Sequence, residues 1–328
     1  MASVGSFSDA ALEQRVSDGV ARVEDLLARS VHSPEPFVDE ASSHLLQAGG
    51  KRFRPLLVVL SAEFGDPTSA DIVPAAVVVE LTHLATLYHD DVMDEAAMRR
   101  GAPSANARWD NSVAILVGDF LFARASSLVA DLGPEAVRIQ ADTFARLVHG
   151  QLRETLGPGP DDDPLEHYLS VVADKTGSLI ATSARFGAMM SGAGADIEAT
   201  MLEFGERIGV AFQLADDIID IASDSDDSGK VPGTDLREGV PTLPTLLVRS
   251  SPAEGDERLR ELLSGPIHDE DDVQWAIRAL REHPAMDQAR AYVRAEADAA
   301  RALLEKLPEG AARDALDEIC TRSTDRLG

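Results

Sequence analysis

A long apolar run from Ile72 to Leu87 ends in the acidic segment Tyr88-His89-Asp90-Asp91-Val92-Met93-Asp94. The run has few helix breakers, which predicts a buried helix. On a helix, Asp90 and Asp94 lie on one face, with their Cβ atoms roughly 6 Å apart. Two carboxylates this close repel each other unless a cation lies between them. Oxygen ligands that leave coordination positions open suit Mg²⁺, which takes water and substrate phosphate as its other ligands.

The same pattern occurs again in Phe212-Gln213-Leu214-Ala215-Asp216-Asp217-Ile218-Ile219-Asp220, also at the end of an apolar helical run. In a chain with 57 Asp and Glu residues, a single D-D-x-x-D segment is equally well explained as a solvated helix end. Two copies on two core helices are hard to explain by solvation. The pair therefore favours metal binding.

Three groups of candidate anion-binding residues accompany the acidic segments. The turn Gly49-Gly50-Lys51-Arg52-Phe53-Arg54-Pro55 places cations at a helix start, and Arg99-Arg100-Gly101 follows the first motif. A solvated basic turn is the alternative for the first group. His83 lies two helical turns before Asp90, although a lone histidine on an apolar helix is more often a core residue. The third group, Lys175-Thr176-Gly177, predicts a local break in a helix, and an exposed pair explains it equally well.

The composition limits the remaining possibilities. The chain has 328 residues, 44% of them hydrophobic, which predicts a large core, and its net charge of −27 argues against a nucleic-acid surface. The single cysteine, Cys320, excludes an internal disulfide and fits a reducing compartment, so we expect a cytoplasmic location. No signal peptide and no uninterrupted apolar window of transmembrane length are expected.

Long Ala- and Leu-rich periodic segments between Gly and Pro punctuation predict an all-α protein without strands. Asn111 to Ala130 is almost entirely apolar and is expected to be central. Ala102 to Asn106 is predicted to be a loop, Asp224 to Gly233 resembles a mobile lid that carries Lys230, and Glu254 to Arg326 is expected to form a charged outer scaffold.

Taken together and in order, these motifs resemble those of the trans-isoprenyl diphosphate synthases, also called the polyprenyl synthetase family. The resemblance rests on Gly49 to Pro55, His89 to Asp94 with Arg99-Arg100-Gly101, Lys175-Thr176-Gly177, Phe212 to Asp220, and Gly229-Lys230. It implies one all-α domain over residues 1–328, a helical bundle around a deep central cavity, with the isoprenoid synthase type I fold. It also implies a homodimer.

The resemblance implies condensation of isopentenyl diphosphate with an allylic diphosphate, with release of diphosphate. The difficult step is ionisation of the allylic C–O bond, which metal ions and fixed cations assist by stabilising the departing anion. No side-chain general base is evident, and the released diphosphate can take the proton. Carried over by motif, about three Mg²⁺ ions per site would be held by Asp90, Asp94, Asp216, Asp217 and Asp220, with Asp91 in support.

The substrate contacts are carried over in the same way. Arg99, Lys175, Thr176, Gln213 and Lys230 would hold the allylic diphosphate, and Lys175, Gln213, Lys230 and Arg99 would serve the catalytic step. Isopentenyl diphosphate would be held by Lys51, Arg54, His83 and Arg100. One departure is Val240, where many family members have lysine; the site loses a cation there unless Arg237 replaces it.

Product length is expected to depend on Ala85 and Thr86, because a large aromatic residue five positions before the first aspartate stops chain growth early in this family. The stretches Thr86 to Asp90 and Ser104 to Trp109 are similar to long-chain actinobacterial polyprenyl synthases that supply quinone (menaquinone) side chains. The alternatives are a geranylgeranyl or farnesyl diphosphate synthase, which shares every motif, and a non-catalytic subunit, which should have lost an aspartate motif. A terpene cyclase should lack the Lys51 and Arg54 site.

Overall fold

The structure is a computed structural model that describes residues 7–222, 232–251 and 255–325. Helices account for 79% of the residues, which confirms the predicted all-α class. The helices are, in chain order, α1 (Ala10–Val31), α2 (Pro36–Gln47), α3 (Phe53–Ser61), α4 (Ile72–Met93), α5 (Ala105–Arg108), α6 (Asn111–Asp131), α7 (Pro134–Leu156), α8 (Pro164–Val172), α9 (Ser178–Met190), α10 (Ala195–Ala222), α11 (Thr234–Glu238), α12 (Leu243–Ser250), α13 (Glu257–Leu262), α14 (Glu270–Glu282), α15 (Pro284–Leu303) and α16 (Ala311–Asp325).

The chain divides into two compact units. The first unit contains Met1–Phe144, Leu179–Gly205 and Lys306–Ala315, and the second contains Ala145–Ser178, Glu206–Glu305 and Leu316–Gly328. The first acidic motif belongs to the first unit and the second motif to the second. The expectation of a single domain over residues 1–328 stays a prediction.

Helix α4 is the core helix of the first unit, as its apolar run predicts. Val77, Val78 and Val79 are fully buried although they point in successive directions around the helix, so α4 is enclosed on all sides. It packs against α1, α3 and α6. Fully burying a valine side chain contributes on the order of 1.5–3 kcal/mol. This packing holds the end of α4 that carries Asp90 and Asp94.

Helix α6 is less central than expected. Leu116 is 66% exposed and Ile115 43% exposed, so one side of the helix faces away from the rest of the first unit. By length and composition alone, α4 and α6 are both apolar enough to cross a membrane. Two thirds of the apolar window of α4 is buried but only one third of that of α6. Apolar composition predicted α6 as a helix correctly, but it could not distinguish a core face from an uncovered one.

The segment after the first motif was predicted to contain a loop and no strand, and this is wrong. Met98–Arg99 pairs in antiparallel register with Ala102–Pro103 to form a short β-hairpin, strands β1 and β2. Its two-residue turn has positive φ at Arg100 (54°) and Gly101 (77°), the combination that matches the twist of a tight hairpin. Glycine adopts this conformation without steric cost, whereas Arg100 does so under strain. The hairpin points two consecutive arginines in different directions.

The predicted break at Lys175 is confirmed. Ala173–Gly177 forms a single π-helical turn between α8 and α9, a feature that often occurs at functional sites. Gly150 of α7 lies against this turn, and a Cβ atom at Gly150 would collide with the backbone nitrogen of Lys175. The missing side chain therefore allows the widened turn to approach α7 within the second unit.

Candidate functional site

The first acidic motif occupies the C-terminal end of α4. Asp90 lies in the last turn and Asp94 caps the helix, donating its backbone N–H to the Asp90 carbonyl oxygen at 2.8 Å. The two residues are therefore one helical turn apart, as predicted. The carbonyl end of a helix carries partial negative charge, which adds to the repulsion between the two carboxylates. A cation bound here relieves both, so the donor set fits a hard divalent metal.

Asp91 lies on the buried side of the same turn and is fully enclosed. Arg99 Nε donates to Asp91 Oδ1 at 2.6 Å, and Asp91 Oδ2 is buried without a hydrogen-bond partner in the described part of the chain. Burial raises the pKa of Asp91, and the positive charge of Arg99 opposes that rise. The ion pair fixes Arg99 beside the acidic motif, with its side chain 30% exposed.

Arg52 anchors the basic turn to α1 and α4. Its guanidinium is buried, pairs with Glu24 through Nε, and donates from Nη1 to Glu80 Oε1 at 3.1 Å. Glu80 is 2% exposed, and a carboxylate at that depth requires a cation. The sequence predicted Arg52 only as one of the anion-binding cations of the turn and assigned no role to Glu24 or Glu80, so the ion pairs of Arg52 with these two residues were not foreseen. The available signal was Glu80 itself, the only Asp, Glu, Lys or Arg in the run from Ile72 to Leu87.

The same turn brings Arg54 and Arg100 together. Arg100 Nη1 donates to the carbonyl oxygen of Leu45 at 3.0 Å and to that of Gly49. Arg54 Nε is buried and has no hydrogen-bond partner among the residues that the structure describes. Burial lowers the pKa of Arg54 to about 10, with Glu80 opposing the decrease and Arg100 adding to it. Arg54 thus stays protonated at neutral pH but is incompletely satisfied.

His83 lies among these arginines. Burial lowers the pKa of His83 well below its usual value, and the charges of Arg54 and Arg100 lower it further. The imidazole is therefore neutral at neutral pH and has one N–H to donate. The guanidinium groups of Arg52, Arg54, Arg99 and Arg100 outnumber the carboxylates of Glu24, Glu80 and Asp91 with which they interact. An anion such as a diphosphate would balance this excess.

Gly50 shows why the turn needs a glycine at this point. A Cβ atom there would collide with the guanidinium groups of Arg52 and Arg100. The sequence predicted the glycine pair only as a helix break, and the structure adds that the backbone leaves room for two arginines. Lys51, the fourth residue predicted to bind isopentenyl diphosphate, is exposed on this turn.

The second acidic motif lies near the end of α10. Asp216 and Asp220 are both half-buried and one helical turn apart, as predicted. Asp220 Oδ2 accepts a hydrogen bond from the backbone N–H of Asp235 at 3.3 Å. The Asp220 carbonyl oxygen accepts one from Gly233 at 3.0 Å. These contacts connect the motif to the segment that leads into α11.

Asp217 has a different environment from its neighbours in the motif. It is 5% exposed, and it accepts hydrogen bonds from the Tyr168 hydroxyl on Oδ2 and from Gln213 Nε2 on Oδ1, the latter at 3.0 Å. Burial raises the pKa of Asp217 to about 6, and the hydrogen bonds oppose this rise. Burial and the adjacent Asp217 charge raise the pKa of Tyr168 well above its usual value. Sequence reasoning missed Tyr168, which belongs to no recognised motif.

The π-helical turn supplies the remaining predicted contacts of the second unit. Thr176 Oγ1 donates to Gln213 Oε1 at 3.0 Å, and Lys175 Nζ pairs with Glu154 at 2.5 Å. Arg237 donates to Glu270 and to the Pro232 carbonyl oxygen, so the structure does not support Arg237 as a replacement for the lysine missing at Val240. Lys230 lies outside the described residues, as does most of the expected lid.

The structure thus brings together two sets of predicted residues, one in each unit. Within the described ranges, no three His, Cys, Asp or Glu side chains converge to hold a metal by themselves. This agrees with the chemistry of Mg²⁺, which uses few carboxylates and completes its shell with water and substrate phosphate. The first set contains Asp90, Asp94, Arg99, Lys51, Arg54, His83 and Arg100. The second set contains Lys175, Thr176, Gln213, Asp216, Asp217 and Asp220.

Comparison with known proteins decides the family. Residues 35–280 match the family described as Polyprenyl synthetase. This chain is a member of the polyprenyl synthetase family. It is therefore a prenyltransferase of isoprenoid biosynthesis and a trans-prenyl diphosphate synthase, as the motifs predicted.

Three relatives show how far the likeness extends. A nonaprenyl diphosphate synthase of Mycobacterium tuberculosis is 51% identical over 98% of this chain and 96% of its own. A dimethylallyltranstransferase of the same organism is 44% identical over 95% of both chains. The crystal structure of a geranylgeranyl pyrophosphate synthase from Corynebacterium glutamicum, complexed with calcium and isoprenyl diphosphate, superimposes with a TM-score of 0.89. Its sequence is 46% identical, and the match covers 99% of this chain and all of that one.

Proposed function

We propose that this trans-prenyl diphosphate synthase condenses isopentenyl diphosphate with an allylic diphosphate to make a long polyprenyl chain for a quinone side chain. The main support for a long product is the small side chain of Ala85. It is fully buried on α4, five residues before Asp90, and is the smallest side chain that this position can have short of glycine. The 51% identical nonaprenyl diphosphate synthase supports the same conclusion.

In the first unit, we propose that Arg54, Arg100, Lys51 and His83 bind the diphosphate of isopentenyl diphosphate. The unsatisfied Arg54 Nε and the excess of guanidinium groups support this assignment. His83, being neutral, would donate a hydrogen bond without adding charge. Arg99, held by Asp91, would face the allylic diphosphate beside the first aspartate motif.

Mg²⁺ held by Asp90 and Asp94 and by Asp216 and Asp220 would neutralise the charge that develops on the departing diphosphate. The residues fit such a metal because each pair offers carboxylate oxygens one helical turn apart. The bound calcium in the related Corynebacterium structure supports divalent metal binding by the family. Asp217 differs from the other four in being buried, and both of its oxygens accept hydrogen bonds within the protein.

In the second unit, Lys175, Thr176 and Gln213, with Lys230 from outside the described ranges, would contact the allylic substrate. Lys175 is paired with Glu154 in this structure, so substrate binding would exchange one anion for another. The proton released in the condensation would go to the departing diphosphate, since no described side chain is placed by motif or by geometry to act as a base.

A geranylgeranyl diphosphate synthase is the second candidate, favoured by the 46% identity to the Corynebacterium enzyme. By the family resemblance, the two candidates share every motif and differ only in where chain growth stops. A non-catalytic subunit is disfavoured because both aspartate motifs are intact.

We also propose that the chain is a cytoplasmic homodimer that uses the uncovered face of α6. Ile115 and Leu116 lie on this face, and mean hydropathy along the apolar window of the helix reaches 1.7. Adjacent exposed apolar side chains on a helix of this composition make this face the candidate association site. A second copy of the chain would cover it with an identical helix, which is the geometry of a two-fold interface.

Metal dependence tests the aspartate assignment. Asp90→Ala and Asp216→Ala should each reduce turnover by several orders of magnitude, because the charge on the leaving diphosphate is no longer neutralised. Circular dichroism should show an unchanged helical content. Asp287→Ala, at an exposed acid on α15, serves as the control and should keep full activity. Undiminished turnover in excess EDTA would contradict the assignment of these aspartates as metal ligands.

Lys51→Ala and Arg54→Ala test the isopentenyl diphosphate site. Each removes a charge-assisted contact of roughly 1.5–3 kcal/mol, so KM for isopentenyl diphosphate should rise about 10- to 150-fold. KM for the allylic substrate should change little when each substrate is varied separately. Arg22→Ala, at an exposed arginine of α1, is the control. A selective loss of affinity for the allylic substrate would reverse the assignment.

Leu116→Glu tests the dimer. A carboxylate on each side of the two-fold interface should convert the dimer to a monomer, measured by analytical ultracentrifugation at matched protein concentrations. Tyr292→Glu places the same charge on an exposed position of α15 and should leave the dimer intact. A wild-type protein that sediments as a monomer, or a Leu116→Glu variant that remains dimeric, contradicts this interface.

Ala85→Phe tests product length. Helix α4 has 22 residues and is therefore roughly 33 Å long, so a product that grew alongside it would have a path of that length. The phenyl ring should block that path and shorten the products without abolishing the first condensation. Ala85→Ser, which adds one atom, should change the length little. Products are identified by mass spectrometry after incubation with Mg²⁺ and a series of allylic primers.

Two results would count against the long-chain proposal. If the wild-type enzyme stops at geranylgeranyl diphosphate or earlier, the second candidate is correct. If it makes long chains whose length is unchanged by Ala85→Phe, another residue determines the length.

A further inference from the structure

Tyr168 makes a contact near the second aspartate motif that the proposed function does not use. It lies on α8, two turns before Thr176, and its hydroxyl donates a hydrogen bond to Asp217 Oδ2. The Gln213 Nε2 group donates to the other oxygen of the same carboxylate. A tyrosine hydroxyl and a glutamine amide thus converge on one buried acid in the second unit.

Both carboxylate oxygens of Asp217 accept a hydrogen bond within the protein. Tyr168 occupies Oδ2 and Gln213 Nε2 occupies Oδ1, and the residue is 5% exposed. A carboxylate that binds a metal needs an oxygen directed at the ion, and turning Asp217 toward one would leave Tyr168 or Gln213 without its partner in a buried site. Asp216 and Asp220 are half-buried.

The carboxylate determines the orientation of the Gln213 amide. An ionised carboxylate only accepts hydrogen bonds, so the Gln213 NH₂ group must face Asp217. Gln213 Oε1 then necessarily points the other way, and it receives the Thr176 hydroxyl proton at 3.0 Å. With that proton engaged, the donor that remains for an anionic substrate is the second N–H of the Gln213 amide. The chain of contacts from Tyr168 to Thr176 therefore fixes the direction of every hydrogen bond in it.

We propose that Tyr168 is a positioning residue for prenyl transfer, which holds Asp217 so that Asp217 orients Gln213 and Thr176 rather than binding metal. This inference rests on the proposed function, since Gln213 and Thr176 matter only if they contact the allylic substrate. Tyr168 and Asp217 act through these two residues and touch no substrate themselves. The sequence motif placed Asp217 among the metal ligands because spacing alone cannot distinguish an oriented acid from a ligating one.

A double-mutant cycle between Tyr168→Phe and Gln213→Ala tests the positioning role. Tyr168→Phe should reduce kcat about tenfold or more, because the amide is no longer held in one orientation. KM for isopentenyl diphosphate should stay unchanged. In the Gln213→Ala background, Tyr168→Phe should have no further effect on kcat, since the group through which it acts is gone. Tyr292→Phe, at an exposed tyrosine, is the matched control and should retain wild-type kcat.

Additive effects in that cycle would overturn the proposal. So would a Tyr168→Phe variant with wild-type kcat and a lower melting temperature, because that combination means that the hydroxyl only stabilises the fold. Melting temperatures of all the variants are measured alongside the kinetics, so that loss of structure is separated from loss of orientation.

Metal binding supplies a readout that does not depend on turnover. Mn²⁺ is titrated into the protein in the presence of inorganic diphosphate, and binding is followed by calorimetry. Asp217→Asn should bind Mn²⁺ with wild-type stoichiometry and affinity, whereas Asp216→Ala should lose sites or affinity. A loss of Mn²⁺ sites in Asp217→Asn would show that Asp217 is a ligand and would overturn the proposal. If Asp217→Asn does not fold, the cycle between Tyr168 and Gln213 decides alone.

Failure of this inference can be distinguished from failure of the proposed function. A wild-type enzyme that does not condense isopentenyl diphosphate with any allylic primer contradicts the proposed function and, with it, the positioning role. A wild-type enzyme that makes prenyl diphosphates, combined with an additive cycle or a metal-binding defect in Asp217→Asn, contradicts the positioning role alone.

Discussion

A carboxylate cannot be buried in an apolar helix without a cation, and Glu80 imposes this constraint on the first unit. Arg52 satisfies it and so fixes the basic turn against α4. The absence of a side chain at Gly50 leaves room in this turn for the guanidinium groups of Arg52 and Arg100. Once Arg52 is held, Arg54 and Arg100 are held beside it, although their charges repel each other. Positive charges that destabilise one another in the ligand-free protein indicate a site that is preorganised to bind an anion.

The second unit uses a buried carboxylate in a related way. Asp217 accepts hydrogen bonds from Tyr168 and Gln213. Because this fixes the orientation of the Gln213 amide, the Thr176 hydroxyl donates to Gln213 Oε1. In both units, a buried carboxylate positions hydrogen-bond donors. The less buried carboxylates of the aspartate motifs are the ones that we propose as metal ligands. Burial therefore separates two roles that the D-D-x-x-D spacing presents as one, because a ligand must remain accessible to water and phosphate.

The structural features that the sequence alone predicted are those that depend on local residue patterns. Helical periodicity placed α4 and α10, the one-turn spacing placed Asp90 near Asp94, and the mid-helix Lys-Thr-Gly segment predicted the break that became the π-helical turn. The short hairpin at Met98–Arg99 was missed because its two-residue strands are below any periodic signal. The uncovered side of α6 was missed because an almost uniformly apolar helix has no polar face to distinguish inside from outside.

Contacts between residues far apart in sequence were beyond such prediction. Tyr168 reaches Asp217 across 49 positions and Arg52 reaches Glu80 across 28, and no spacing rule connects either pair. The lone Glu80 was a signal from which no prediction was drawn, and it could not have identified which of several arginines would pair with it. Tyr168 offered no comparable signal, since a tyrosine on an amphipathic helix is ordinarily a core or boundary residue.

Product length, too, depends on residues around the motifs and not on the motifs themselves. Relatives named for nonaprenyl and for geranylgeranyl products are 51% and 46% identical to this chain, so overall similarity discriminates poorly between them. The chemistry of ionisation and condensation is the same for every round of elongation, and the residues that perform it therefore carry no information about when elongation stops. That information must lie in the volume available to the growing apolar chain. A buried position such as Ala85 can change that volume by the size of one side chain while the charged groups near the end of α4 stay in place.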